Sequence, residues 1–289
     1  MPSATTADAD VQQRPVTFAS VDRTLTGTVF EPRTTPRAIV VLSPAVGVRA
    51  RYYSAFADWL VRKHTVACLT YDYRDFGASS AGPTHRSDAT LGDWAVTDGQ
   101  SARAFAQAQF GELPQWIIGH SLGGMCLPLQ TGLSRVARVI TVGSGAVHAA
   151  DHPWPYQALA RTFWSWPVRG IVAAKGMVPG RLMGLGADLP AGVYRQWRRW
   201  CTTRGSYAID IGKTLPPPNA EPLGCRVKFV AIADDALVPP AAVWRLMTHY
   251  GDTPRQQLTL KPSAFGLDAI GHIEVFSASR QSTWDAILA

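Results

Sequence analysis

Gly119-His120-Ser121-Leu122-Gly123-Gly124 follows directly on the apolar run Trp116-Ile117-Ile118. A serine hydroxyl is a poor nucleophile unless it is held exposed beside a base, and a sharp strand-to-helix turn achieves this by lifting Oγ above the sheet edge. Gly119 and Gly123 lack a Cβ, so a strained Ser121 backbone and a close approach of the flanking elements become sterically feasible. The string alone is short enough to arise by chance. Its setting makes it informative: an apolar strand-like run stands before it, and Leu122 to Leu129 read as a helix after it, interrupted by Pro128.

A nucleophilic serine needs a base and an acid that orients the base. Of seven histidines, His64 ends an expected helix, His85 lies in a polar loop, His120 is inside the elbow, His148 and His152 open an insertion, and His249 lies late on a helix. His272 differs. It follows the last apolar run by about a dozen residues, in Asp268-Ala269-Ile270-Gly271-His272, on a loop expected to return to the sheet edge where Ser121 points. For the acid, the run from Val227 ends in Asp234-Asp235-Ala236-Leu237-Val238-Pro239-Pro240. A carboxylate at a strand tip before a proline-started helix is held rigidly enough to fix an imidazole tautomer. Two adjacent carboxylates cannot both face the histidine; the D-x-x-V-P spacing selects Asp235, with Asp234 as the alternative.

The elements that must position these residues are legible as an α/β pattern. Ala38 to Leu42, Val66 to Leu69, Trp116 to Ile118, Val136 to Val142, Val227 to Ile232 and Leu258 to Leu260 are short apolar runs separated by helix-length stretches, the punctuation of a parallel sheet. Val16 to Ala19 and Leu25 to Phe30 read as two antiparallel strands at one edge. With 289 residues, one large core is expected: residues 1–14 as a disordered leader, 15–145 and 225–289 as the core, and 146–224 as a helical cap inserted over the carboxyl edge of the sheet. That insertion holds five of the ten tryptophans and nine basic against four acidic residues, +5 of the net +7. Val193, Trp197, Trp200 and Cys201 share one helix face. Trp164, Trp197 and Trp200 are therefore expected to line an apolar pocket; Arg195, Arg198 and Arg199 read either as a solvated helix face, the reading slightly favoured, or as a basic rim favouring esters with an anionic end.

Composition narrows the function classes. The basic residues form no continuous run, so a nucleic-acid partner is not expected. No apolar run approaches the roughly 20 residues of a membrane span, and no basic-then-apolar leader marks secretion, so a cytoplasmic location is expected. Cys68, Cys126, Cys201 and Cys225 form no C-x-x-C pair and read as reduced, packed thiols. No metal and no cofactor are expected, since no cysteine cluster offers ligands.

In the order Ser121, Asp235, His272 the chain resembles the α/β-hydrolase superfamily, from the strands near Val16 to the terminal helix. Pro44-Ala45-Val46-Gly47, Arg51-Tyr52-Tyr53, Tyr71-Asp72-Tyr73-Arg74, Asp93-Trp94, Asp188-Leu189-Pro190, Trp197 to Cys201 and Ile270-Gly271-His272 are similar to a bacterial branch of predicted capped hydrolases. The resemblance implies an α/β-hydrolase fold, a mostly parallel central sheet flanked by helices with an inserted helical cap. It also implies a serine esterase acting on a small hydrophobic ester or thioester through an acyl-enzyme. An acyltransferase or lyase-like enzyme, or a non-catalytic ligand-binding relative, are the alternatives. Dehalogenases and epoxide hydrolases of this fold need aspartate where Ser121 stands. Two positions depart from the pattern. Ser43-Pro44-Ala45 replaces the usual His-Gly, and proline has no N–H, so Ala45 or Val46 must join the Leu122 N–H in binding the oxyanion. Asp75 stands where a turn glycine is usual.

Overall fold

The central strands of this chain are short, apolar and buried on both faces, so they assemble as the interior layer of a three-layer stack. A computed structural model describes residues 10–220 and 223–289. Its main sheet holds β1 (Val11–Ser20), β2 (Arg23–Pro32), β3 (Ile39–Ser43), β4 (Ala67–Tyr71), β5 (Gln115–His120) and β6 (Val136–Val142). A two-stranded pair, β7 (Met177–Val178) and β8 (Leu189–Pro190), lies in the insertion. Returning to the main sheet are β9 (Val227–Ile232) and β10 (Arg255–Leu260). The order is β1-β2-β4-β3-β5-β6-β9-β10. β1, β2 and β4 pair antiparallel, and from β4 onward every pair is parallel. The carboxyl ends of β3, β5, β9 and β10 therefore share one edge, where ligands of open α/β sheets bind.

Helices α1 (Ser54–His64) and α7 (Trp284–Leu288) cover one face, burying Phe56, Leu60, Trp284 and Ile287 against Val40 and Ile232. On the other face α2 (Gly99–Phe110) and α6 (Pro240–Leu246) bury Ala102, Ala106, Val243 and Leu246. Between β6 and β9 come α3 (Tyr156–Phe163), α4 (Trp166–Lys175) and α5 (Ala191–Thr202); Trp197 and Trp200 lie on α5, and Trp164 caps the end of α3. The insertion is tied to the core by hydrogen bonds: the Gly92 N–H donates to Gln196 Oε1 at 2.7 Å, and His152 Nδ1 to the Ala236 carbonyl at 3.0 Å. No helix among the described residues is long and apolar enough to cross a membrane.

Two local expectations change. Residues 11–14 belong to β1, paired residue by residue with Pro32 to Val29, not to a leader. Ladder hydrogen bonds are indifferent to the polar side chains of Gln12, Gln13 and Arg14, and an edge strand tolerates Pro15. The first nine residues of the expected leader lie outside the described residues. After Ser121 there is no α-helix but two 3₁₀ turns, Ser121–Gly124 and Leu127–Leu129; Pro128 lacks the N–H that a continuing helix needs. The Asp75 turn does form, with Asp75 itself at φ 56° and its carboxylate accepting the Ser87 hydroxyl at 2.7 Å. A short acidic side chain tolerates the left-handed region that glycine usually fills.

Candidate active site

Ser121 follows the last residue of β5 at φ 52°, a left-handed conformation that costs a non-glycine residue about 1–3 kcal/mol and persists only where its surroundings enforce it. The enforcement is visible. A Cβ on Gly119 would sit 2.4 Å from the Gly123 carbonyl oxygen, and one on Gly123 would sit 2.1 Å from the Ser43 carbonyl oxygen. Both positions must be glycine for β5, the turn and the end of β3 to come this close.

At the tip of β9, Asp235 Oδ2 lies 2.6 Å from His272 Nδ1, and both side chains are buried. Asp235 Oδ1 accepts the Leu237 and Val238 N–H groups at 2.8 Å each, so the carboxylate is clamped by backbone before it meets the ring. With Nδ1 donating to the carboxylate, Nε2 is left as the basic nitrogen. Asp234 serves a different partner. Its Oδ2 accepts the Ile270 and Gly271 N–H groups at 2.9 and 3.1 Å, holding the loop that carries His272. Gly143 adds room, since a Cβ there would lie 3.1 Å from the imidazole.

Sequence reasoning missed a buried polar chain behind these residues. His120 Nε2 is 3.0 Å from the His272 carbonyl oxygen, which can only accept, so Nε2 carries the proton. Nδ1 must then accept, and the Tyr53 hydroxyl donates to it at 2.7 Å while receiving the Ala45 N–H at 3.0 Å. Burial, reinforced by the charge that His272 would carry, holds the His120 imidazole well below its usual pKa and keeps it neutral; burial raises that of the Tyr53 phenol. This chain engages the Ala45 N–H, one of the two oxyanion donors expected after β3, while the Val46 N–H makes no hydrogen bond among the described residues. Local spacing could not reveal the chain, because Tyr53 and His120 are 67 positions apart.

Ser121 and His272 open onto one cavity of about 190 Å³. Trp164, Trp197 and Trp200 line it, together with Val46, Leu122 and Phe163. No hydrogen bond joins Ser121 to His272 among the described residues; such bonds are commonly long without substrate and tighten in the reacting complex. His152 also lines the cavity, but its Nδ1 donates to the Ala236 carbonyl at 3.0 Å and it makes no ion pair with a carboxylate among the described residues. His148 and His152 stand four apart in sequence, a spacing that metal sites use. They nevertheless belong to no group of three or more His, Cys, Asp or Glu side chains able to hold a metal among the described residues. The basic rim is absent: Arg195, Arg198 and Arg199 do not line this cavity but another on the far face of α5.

The sequence profile of the serine aminopeptidase family, S33, matches residues 34–174. No curated protein matches by sequence. Among solved structures, the mouse α/beta hydrolase domain-containing protein 10 is similar over 95% of this chain and 96% of its own, at 14% identity and a TM-score of 0.59. The enol-lactonase from Burkholderia xenovorans LB400 is similar over 94% and 98%, at 14% identity and 0.58. A thermostable carboxyl esterase from Bacillus coagulans is similar over 96% and 98%, at 14% identity and 0.56. At these identities the likeness is one of fold.

Proposed function

The chain has the fold of the α/β-hydrolase superfamily, and from that premise we propose that it is a serine hydrolase cleaving a carboxylic ester or thioester through an acyl-enzyme. The observation that carries the reading is the buried Asp235–His272 contact at 2.6 Å, with its imidazole opening onto the same apolar cavity as Ser121. Ser121 Oγ attacks the carbonyl carbon as His272 Nε2 takes its proton. Asp235 stabilises the imidazolium, and the N–H groups of Leu122 and Val46 receive the oxyanion. His272 then returns the proton to the leaving oxygen or sulfur, and a water activated by the same nitrogen releases the acid.

Residues 146–224 act in this reading as a cap whose aromatic wall excludes water and receives the acyl or aryl group. Among the described residues the cavity presents aromatic and aliphatic side chains and no Lys, Arg, Asp or Glu, so the preferred substrate is hydrophobic and uncharged near the scissile carbonyl. The lactonase and esterase among the structural relatives support the reaction class, not a substrate. Turnover of p-nitrophenyl esters of graded acyl length tests the proposal: the protein hydrolyses a subset of them, and Ser121→Ala lowers kcat by about 10⁴ or more without altering the fold. Undiminished turnover by Ser121→Ala would remove Ser121 from the mechanism.

A further inference from the structure

Four arginines of the insertion have no part in that chemistry, and they share a cavity of their own. Arg169 on α4 and Arg195, Arg198 and Arg199 on α5 line about 610 Å³, together with Trp166, whose indole is 79% exposed. This space has no lining residue in common with the Ser121 cavity. α5 is the wall between them, with Trp197, Trp200 and Cys201 on one side and Arg195, Arg198 and Thr202 on the other.

The charge in this space is largely uncompensated. Arg199 is neutralised by Asp210 at 2.6 Å, and that carboxylate is already shared with the Trp200 indole N–H at 2.7 Å and the Gln196 amide at 3.1 Å. Arg198 commits only its Nε, to the Trp164 carbonyl at 2.9 Å. Arg169 and Arg195 have no ion pair or hydrogen bond among the described residues, and no carboxylate lines the cavity. Some arginines elsewhere are paired with carboxylates: Arg74 meets Asp98, Arg245 meets Asp151 and Arg62 meets Asp58. The sequence shows the same segregation. Residues 152–204 contain eight basic residues and one acidic, a net +7 equal to that of the whole chain, so all the rest sums to zero. Several guanidinium groups converging without counter-charge repel one another, and an anion reverses that cost.

We propose that this cavity is a second binding site, for a phosphoryl dianion carried by a soluble phosphate ester or by a lipid headgroup. Arg169, Arg195 and Arg198 offer planar forks that match phosphoryl oxygens in pairs, a geometry that lysines do not supply. The Trp166 indole offers a flat apolar surface to whatever bears the phosphate. The site lies outside the serine chemistry and does not depend on it.

Pyrophosphate titrated calorimetrically into the full-length protein binds, and Arg169→Gln/Arg195→Gln/Arg198→Gln weakens that binding at least tenfold. Arg14→Gln/Arg33→Gln/Arg255→Gln, which removes the same charge from exposed positions elsewhere, binds as the parent does, as does Ser121→Ala. Equal affinity of Ser121→Ala keeps this result separable from the hydrolase reading. Should the cavity variant melt early, Arg195→Gln alone alters an exposed side chain and lowers affinity about threefold. Co-sedimentation with phosphatidylcholine vesicles with and without phosphatidate separates the two sources. Retention on phosphatidate vesicles that the cavity variant loses assigns a headgroup, and pyrophosphate binding without such retention assigns a soluble ester. No binding of either probe, or equal loss in the two triple variants, overturns the proposal.

Discussion

The core and the insertion both face Ser121, but they hold their side chains by different physics. On the core side each group is fixed by directional bonds to backbone: Asp235 by the Leu237 and Val238 N–H groups, the His272 loop by Asp234, and His120 by the His272 carbonyl. On the insertion side the cavity is walled by rings that pack on one another. Trp164 and Trp197 meet edge to face at 5.2 Å, and Phe163 and Trp164 at 4.5 Å. Five of the seven large apolar side chains that stand exposed among the described residues are also there: Trp154, Leu159, Trp166, Ile171 and Leu182. Hydrogen bonds are lost when a group moves by a fraction of an ångström, whereas apolar packing adapts. In the proposed reaction this difference would let the core place the reacting atoms and the insertion accept a shape.

This division predicts where mutations register. Core changes fall on kcat and insertion changes on KM. The largest separation is between neighbours: Asp235→Asn lowers kcat about 10³- to 10⁴-fold by removing the carboxylate that orients and charges His272. Asp234→Asn loosens only the loop and costs less than about tenfold. Steady-state kinetics on the two variants checks this, and the reverse ranking would move the orienting acid back one residue. Next is Tyr53→Phe, which keeps the ring but leaves the Ala45 N–H and His120 Nδ1 buried without a partner. It destabilises by about 1–3 kcal/mol and, by shifting the loop that carries Val46, lowers kcat about ten- to a hundredfold with KM little changed. A stability loss without a kcat loss would make Tyr53 a packing residue alone. Smallest is Trp197→Ala, which raises KM for long acyl esters by an amount worth about 1–3 kcal/mol while kcat stays within about threefold. A collapse of kcat there would show that the insertion also places reacting atoms.

Legibility in the sequence followed the same boundary. β6 and β9 have the ends that their apolar runs suggested, because strands enclosed on both faces leave no polar alternation to blur them. β1 starts early at Val11 because an edge strand can be polar and still pair. The elbow glycines, Asp235 and His272 were readable from local spacing, since each stands at the tip of a recognisable strand or loop. Tyr53 and the role of His120 were not, because their partners are distant in sequence; the Arg51-Tyr52-Tyr53 wording just after the oxyanion loop was the one available hint. Helical periodicity separated the tryptophans from the arginines of α5 correctly. The rim reading of those arginines failed because the opposite face of α5 looks toward α4, a packing partner that periodicity cannot identify.

The central claim is that Ser121 is the nucleophile of a hydrolytic site, and covalent labelling tests it most directly. Incubation with a fluorophosphonate, followed by digestion and peptide mass spectrometry, places a single adduct on Ser121. The Ser121→Ala protein, with an unchanged melting temperature, carries none. An unlabelled parent protein, or an adduct that persists on another residue in Ser121→Ala, would contradict the account.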